Sequence, residues 1–384
     1  MNLNGRPLFV LIAAATVVVP ILAAILWRQR HGRRGKSWLS MARRLCVILV
    51  CQLLAVAAAF LWVNASYGFY TSWSDLTGGT SGATARIVPN GGTIAGAPTG
   101  TRTRTGRQRL TTTRAKSPTA QTQPTTTSTG AGTMESLMVA AGPGTNGSHQ
   151  VKVWLPPQYQ SAAAGERFPV VMVLPGQPST PTAMFTHYRF GDVASAAIAS
   201  GRVAPFVAVF PPLMTAPPRD TECTDVPGGP QAETWLSSDV YRGVKHSGLR
   251  INDRPWSVLG WSTGAFCAMK LVLHHPAQYQ AVASLGGYYR PLTDSTTGDL
   301  FHGSATVANN NSPTWLYQHG GLHHRRLLLV VGRQDRESFV STAAFLAVSR
   351  GDAGVSSLTF PVGGHNYHNY RNQLPTILGW LSPA

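Results

Sequence analysis

Ser262 sits in the run Gly260-Trp261-Ser262-Thr263-Gly264, between apolar Trp256-Ser257-Val258-Leu259 and a helix-compatible stretch over 265–274. Glycine two residues to either side of a serine lets a chain turn sharply from strand to helix and hold the hydroxyl exposed at the apex. Such a hydroxyl attacks a carbonyl carbon once a histidine accepts its proton and a carboxylate orients that histidine. The chemistry in prospect is acyl transfer through a serine ester. A plain strand-to-helix turn would use the same glycines without those partners, so the partners decide.

The carboxylate and histidine are expected after the serine, in that order. Asp335 follows the apolar run Leu327-Leu328-Leu329-Val330-Val331 through Gly332-Arg333-Gln334, where a strand's carboxyl end would present it. Glu337 is a nearby competitor, and a loop salt bridge of Asp335 with Arg333 or Arg336 is the non-catalytic alternative. His365 directly follows Gly363-Gly364 in a late loop and is the expected base, whereas His368 reads as a surface or packing residue. The oxyanion formed by attack needs donors, each worth about 2.7–4 kcal/mol in comparable sites. The amide of Thr263 and the backbone amide of Gln177, in Leu174-Pro175-Gly176-Gln177, are the candidates, with a simple Pro-Gly turn as the alternative for the second. His274, His275, His319, His323 and His324 show no metal-ligand spacing, so no metal and no cofactor is expected.

The elements that must position these residues follow from hydropathy. Strands are expected over 149–155, 168–174, 203–210, 256–259, 281–285, 326–331 and 357–360, with helices over 193–200, 232–246, 338–350 and 370–381. Strands alternating with helices imply a mostly parallel sheet covered on both faces, and with the serine turn an α/β-hydrolase fold over 134–384. Two stretches, 211–231 and 288–322, resist the pattern and are candidate pocket walls, lids or ordinary loops.

The formal charge of +17 is uneven: from Met134 onward there are 17 Lys and Arg against 14 Asp and Glu, and before it 15 against one. The near-neutral globular part and the lack of a basic stripe with interleaved aromatics exclude a nucleic-acid partner. Residues 7–27 and 45–63 are uncharged and long enough to span a bilayer, with Arg28, Arg30, Arg33, Arg34, Lys36, Arg43 and Arg44 between them. The positive-inside rule makes 1–76 a two-span hairpin with a cytoplasmic loop and an extracytoplasmic catalytic domain. A cleaved signal peptide is the competing reading of the first span. Residues 77–133, rich in Thr, Gly, Pro and Arg, are expected to be a disordered linker with a reach of roughly 40–45 Å. Cys46 and Cys51 fall in the second span. Cys223 and Cys267 fall in the exported part, where a bridge between them is expected and two free thiols are the alternative.

The serine motif, together with His275-Pro276-Ala277-Gln278-Tyr279, Ala283-Ser284-Leu285-Gly286, Glu233-Thr234-Trp235-Leu236-Ser237-Ser238-Asp239 and Gly364-His365-Asn366-Tyr367, resembles the esterase D and antigen 85 (mycolyltransferase) superfamily over about 151–383. The resemblance implies acyl transfer from an ester to water or to a carbohydrate hydroxyl. Mycolyltransferases of that superfamily carry Asp-Gly-Leu-Arg at the oxyanion loop and Glu as the acid of the triad. Here the loop is Pro175-Gly176-Gln177-Pro178 and the expected acid is Asp335, so esterase chemistry is implied and trehalose mycolylation is not. The expectation is a membrane-anchored serine esterase or acyltransferase acting on a small-molecule or lipid ester of the cell envelope. The alternative is a catalytically idle binding or adhesion module.

Overall fold

The computed structural model describes residues 3, 6–29, 38–78, 85–90, 130–145, 147–320 and 325–382. Its centre is a nine-stranded sheet in the order β1-β9-β8-β7-β6-β4-β5-β3-β2. The strands are β1 (Ile87–Pro89), β2 (Thr133–Ala140), β3 (Ser148–Leu155), β4 (Val170–Leu174), β5 (Val207–Phe210), β6 (Trp256–Trp261), β7 (Tyr279–Leu285), β8 (Arg326–Gly332) and β9 (Val355–Phe360). From β5 through β4, β6, β7 and β8 to β9 all neighbours are parallel, while β2, β3 and β1 are joined antiparallel at the two edges. This is the mixed, mostly parallel sheet of an α/β-hydrolase.

The central strands are apolar throughout because both faces are covered. Their alternate residues divide between two cores: Val170, Met172 and Leu174 face the nucleophile helix Thr263–His274, while Val171 and Val173 face Phe190–Ala199 and Leu374–Leu381. The expected strands are all present, with ends moved by a few residues. The helix expected over 370–381 is broken in two, Tyr367–Arg371 and Leu374–Leu381, where Pro375 takes the first turn of the second piece. The polar stretch 288–322 is not one loop: it holds the helices Ala305–Asn310 and Pro313–His319, each begun by a serine that accepts an amide of the first turn.

Two apolar helices precede the sheet, α1 (Arg6–Gln29) and α2 (Trp38–Tyr67), and they pack on each other. Their windows Pro7–Trp27 and Met41–Ala65 are long and apolar enough to cross a membrane. Most of the large exposed apolar side chains of the described residues lie on this pair.

The stretch 77–133 departs from the expectation of a uniform linker. Within it Ile87–Pro89 forms β1 and pairs with β9, and Asn90 donates side-chain hydrogen bonds to the carbonyls of Leu346 and Ser349. Edge-strand pairing needs only three residues of extended backbone, which composition does not register. Thr133 already belongs to β2 at the opposite edge. The interval is thus joined to the sheet at 87–89 and at 133, while 79–84 and 91–129 lie outside the described residues.

Candidate active site

Ser262 occupies the turn between β6 and the nucleophile helix with φ 57° and ψ −122°, a conformation that non-glycine residues rarely adopt. The flanking glycines explain how it is held. A Cβ on Gly260 would stand 2.0 Å from the carbonyl oxygen of Gly264, and one on Gly264 would stand 2.3 Å from that of Leu174. The turn therefore closes only with bare backbone at both places. The backbone N–H of Ser262 donates to Leu285 O at 2.9 Å, tying the turn to β7.

The structure brings the three expected side chains together. His365 Nε2 lies 3.0 Å from Ser262 Oγ, and His365 Nδ1 lies 2.7 Å from Asp335 Oδ2. Asp335 is 4% exposed and also accepts the Tyr370 hydroxyl at 2.5 Å. Burial alone would raise its carboxyl pKa; the hydrogen bond and charge of His365, with Tyr370 and Ser338, outweigh burial and hold it below the usual range. Arg333, Arg336 and Glu337 are exposed, so neither the competing acid nor the loop salt bridge occupies this place. The Trp261 indole stacks on the His365 ring with centroids 4.9 Å apart. His368 lies in the short helix after the loop, its Nδ1 within 2.9 Å of Arg371.

Both expected oxyanion residues border the serine. Thr263 opens the nucleophile helix. Gln177 follows Gly176, whose missing Cβ would lie 2.9 Å from Ser262 Cβ, so the loop passes directly over the nucleophile. Tyr367 reaches across to donate its hydroxyl to Ser179 at 2.7 Å and fixes the far side of that loop.

The 211–231 stretch, a candidate pocket wall in the sequence, is held as expected by a cysteine bridge, and it brings a buried carboxylate that sequence reasoning missed. Cys223 and Cys267 are joined in a disulfide with Cα atoms 5.8 Å apart, pinning the 211–231 stretch to the nucleophile helix. Residues 220–224 and 226 of the stretch are buried, while 217–218 and 227–228 are exposed. Beside the bridge, Glu222 is 2% exposed and accepts the Tyr288 hydroxyl at 2.5 Å; that hydroxyl lies 3.3 Å from Thr263 Oγ1. Burial, reinforced by Asp220 and opposed by Tyr288 and Lys270, pushes the Glu222 carboxyl up to about 8. Glu222 and Cys223 both have positive φ, at 47° and 50°. Two strained non-glycine residues in succession carry no signal in a Pro- and Gly-rich sequence.

His274 and His275, read from the sequence as ordinary polar residues without metal-ligand spacing, both meet Glu233. Its Oε1 is 2.6 Å from His274 Nδ1 and 2.9 Å from His275 Nε2, and its Oε2 is 3.4 Å from Lys270 Nζ. The three could offer one ligand atom each to a metal ion. The buried Lys270 ammonium already neutralises the same carboxylate, however, and carboxylate–ring hydrogen bonds fill the space between the donors. The cluster ties the helix beginning at Ala232 to the end of the nucleophile helix. The positive charge of Lys270 and the two ring hydrogen bonds hold Glu233 far below the usual carboxylate range despite its burial. His319 Nδ1 lies 2.9 Å from the carbonyl oxygen of Trp315, and His323 and His324 lie outside the described residues.

The sheet order, the strained serine turn and the Ser–His–Asp chain define the class as an α/β-hydrolase. Residues 142–381 match the Esterase family, described as "Putative esterase". The chain belongs to that family, which bears out the resemblance to an esterase superfamily. An uncharacterized protein of Corynebacterium glutamicum is 24% identical over 244 residues, which is 60% of this chain and 56% of that protein. The chain thus spans little more than half the length of that relative. A ferulic acid esterase superposes with TM-score 0.55 at 18% identity, covering 65% of this chain and 97% of its own. An S-formylglutathione hydrolase of Agrobacterium tumefaciens gives 0.56 at 15% identity, covering 65% and 95%. FphF, a fluorophosphonate-binding serine hydrolase of Staphylococcus aureus, gives 0.55 at 17%, covering 66% and 100%. These three structures share the fold.

Proposed function

We propose that the chain is a membrane-anchored serine esterase or acyltransferase, with α1 and α2 in the bilayer and the hydrolase domain on the extracytoplasmic side. The observation that carries the reaction is the continuous relay from Ser262 Oγ through His365 to the buried carboxylate of Asp335. Ser262 Oγ bonds to the ester carbonyl carbon as its proton passes to His365 Nε2. Asp335 keeps the proton of the ring on Nδ1 and stabilises the imidazolium. The amides of Thr263 and Gln177 receive the oxyanion. Its collapse breaks the bond to the alcohol, which leaves with the proton from His365. Water or a sugar hydroxyl of the cell envelope then attacks the acyl-serine, with His365 as base. Placement in the membrane is supported by the two apolar helices and by the seven basic residues between 28 and 44, which face the cytoplasm under the positive-inside rule.

The test uses the full chain in detergent, with a fluorophosphonate probe and p-nitrophenyl butyrate. Wild type is expected to label at Ser262 and turn over the ester, and Ser262→Ala to lose both, with a rate loss of at least about 10³-fold. Activity surviving Ser262→Ala, or label on another residue, overturns the mechanism.

A further inference from the structure

The one acidic residue among the first 133, Asp75, is 1% exposed and holds the loop that carries His365. Its Oδ2 accepts the backbone N–H groups of Thr71 at 2.9 Å and Gly364 at 3.1 Å. Its Oδ1 accepts the side-chain amides of Asn366 at 3.1 Å and Asn369 at 2.9 Å. Alongside, the N–H of His365 donates to Gly68 O at 3.1 Å, and Asn366 donates to Phe69 O at 2.7 Å. The Thr71 hydroxyl donates at 2.6 Å to Gln334 Oε1, which also accepts Gly363 N–H at 2.9 Å. A Cβ on Gly364 would lie 2.3 Å from Gly68 O, so residue 364 is bare where this segment crosses it.

The same segment is continuous with α2. Gly68 N–H donates to Asn64 O at 2.8 Å, and the Asn64 side chain donates to Tyr70 O and accepts Tyr70 N–H at 2.8 and 2.7 Å. Nothing slack separates the apolar helix from the loop of the general base. The apolar window ends at Ala65. Gly68 lies three residues on, about 5 Å further at the helical rise of 1.5 Å per residue. The headgroup layer on each side of the hydrocarbon is about 5–7 Å thick. On the membrane-anchored reading, which this inference rests on, the backbone of His365 is therefore at headgroup depth. Trp73 on the segment and Val362 on the catalytic loop are 52% and 48% exposed, apolar surface suited to that layer.

We infer that residues 64–76 are a wall of the active site rather than the start of a tether, and that the substrate is an ester embedded in the leaflet the domain faces. Its carbonyl lies at the headgroup boundary, within reach of Ser262, while its acyl chains stay in the bilayer. Asp75 is a positioning residue: it acts on His365 through Gly364, Asn366 and Asn369.

The experiment reconstitutes the full chain in phosphatidylcholine vesicles carrying a fluorogenic diacylglycerol ester, with p-nitrophenyl butyrate as the dissolved comparison. About twelve Gly and Ser residues are inserted between Val63 and Asn64, which leaves every bond of 64–76 to the domain in place and adds roughly 17–21 Å of reach. Fluorophosphonate labelling and dissolved-ester turnover are expected to stay within about twofold, while embedded-ester turnover falls at least about tenfold as effective concentration is lost. An embedded-ester rate that does not fall, or that falls only in step with the dissolved ester, overturns the inference. So does a wild type that labels at Ser262 but never cleaves the embedded ester. A wild type that does not label at all defeats the esterase reading instead.

Discussion

The two walls that flank Ser262 are built in opposite ways. The wall carrying Glu222 is covalent and buried: Cys223 is bridged to Cys267, and the Lys270 ammonium donates to the carbonyl of Cys223 at 2.5 Å and to Asn311 Oδ1 at 2.7 Å. The wall behind His365 is held by hydrogen bonds from a segment nearly 300 residues earlier in the chain, centred on one carboxylate. The first fixes the nucleophile helix as part of the core. The second fixes only the base, so it can be loosened while the rest of the domain stays folded.

Two glycine substitutions separate the walls most sharply. Gly264→Ala puts a methyl group 2.3 Å from Leu174 O and 2.4 Å from Pro175 O, against backbone that cannot yield. It is expected to cost more than about 4 kcal/mol and to leave little soluble protein. Gly364→Ala meets Gly68 O at 2.3 Å and Phe69 O at 2.6 Å, atoms of a segment that can move away. It is expected to cost about 1–2 kcal/mol of stability while kcat on a dissolved ester falls about 10- to 100-fold through displacement of His365. Thermal melts beside kcat and KM on the same preparations check both. Equal loss of stability in the two variants would show that the His365 wall is core after all.

How much of this was legible in the sequence divides along the same line. The serine turn was legible because its determinants lie within two residues of Ser262, and Asp335 and His365 because each follows an apolar strand or a glycine pair. All three side chains that the structure brings within hydrogen-bond distance could be named from local pattern. Asp75 could not, because its partners Gly364, Asn366 and Asn369 are nearly 300 residues away and hydropathy periodicity reports only on neighbours. Glu222 was hidden for another reason. A stretch ordered by a disulfide and by hydrogen bonds, not by a helical or strand repeat, looks like loop in any periodicity test. The partners of His274 and His275 were missed in the same way: Glu233 is 41 residues before the first of them, on a different helix.

Removing the bridge tests the covalent wall with a smaller effect. It spans 44 residues, for which the chain-entropy account gives roughly 4 kcal/mol. Cys223→Ala with Cys267→Ala is expected to lower Tm by about 8–15 °C. Below the transition kcat should fall less than in Gly364→Ala, because the hydrogen bond between His365 and Ser262 does not pass through the bridge. A larger kcat loss than in Gly364→Ala would reverse the assignment of the two walls.

The smallest effect is a change of slope with pH. With its carboxyl raised to about 8 from an ordinary 4.5, folded Glu222 keeps a proton that the unfolded chain releases. Between those values the native state binds more protons than the unfolded state, so stability falls as pH rises and levels off above about 8. Asp220, also raised by burial, adds to the same slope at its acidic end, while Lys270 and Tyr288 oppose the rise at Glu222. Asp335 has the opposite sign: held below its usual value, it stabilises the fold above the ordinary carboxylate range and loses that effect only as pH falls through its lowered pKa. The two carboxylates therefore act in separate windows, one per wall. Glu222→Gln keeps an acceptor for the Tyr288 hydroxyl but cannot ionise. Its Tm is expected to match wild type near pH 5 and to exceed it by a growing margin toward pH 8. Parallel Tm curves across that range would mean that Glu222 is ionised in the folded protein, and that the covalent wall presents a negative charge beside Thr263 rather than a neutral acid.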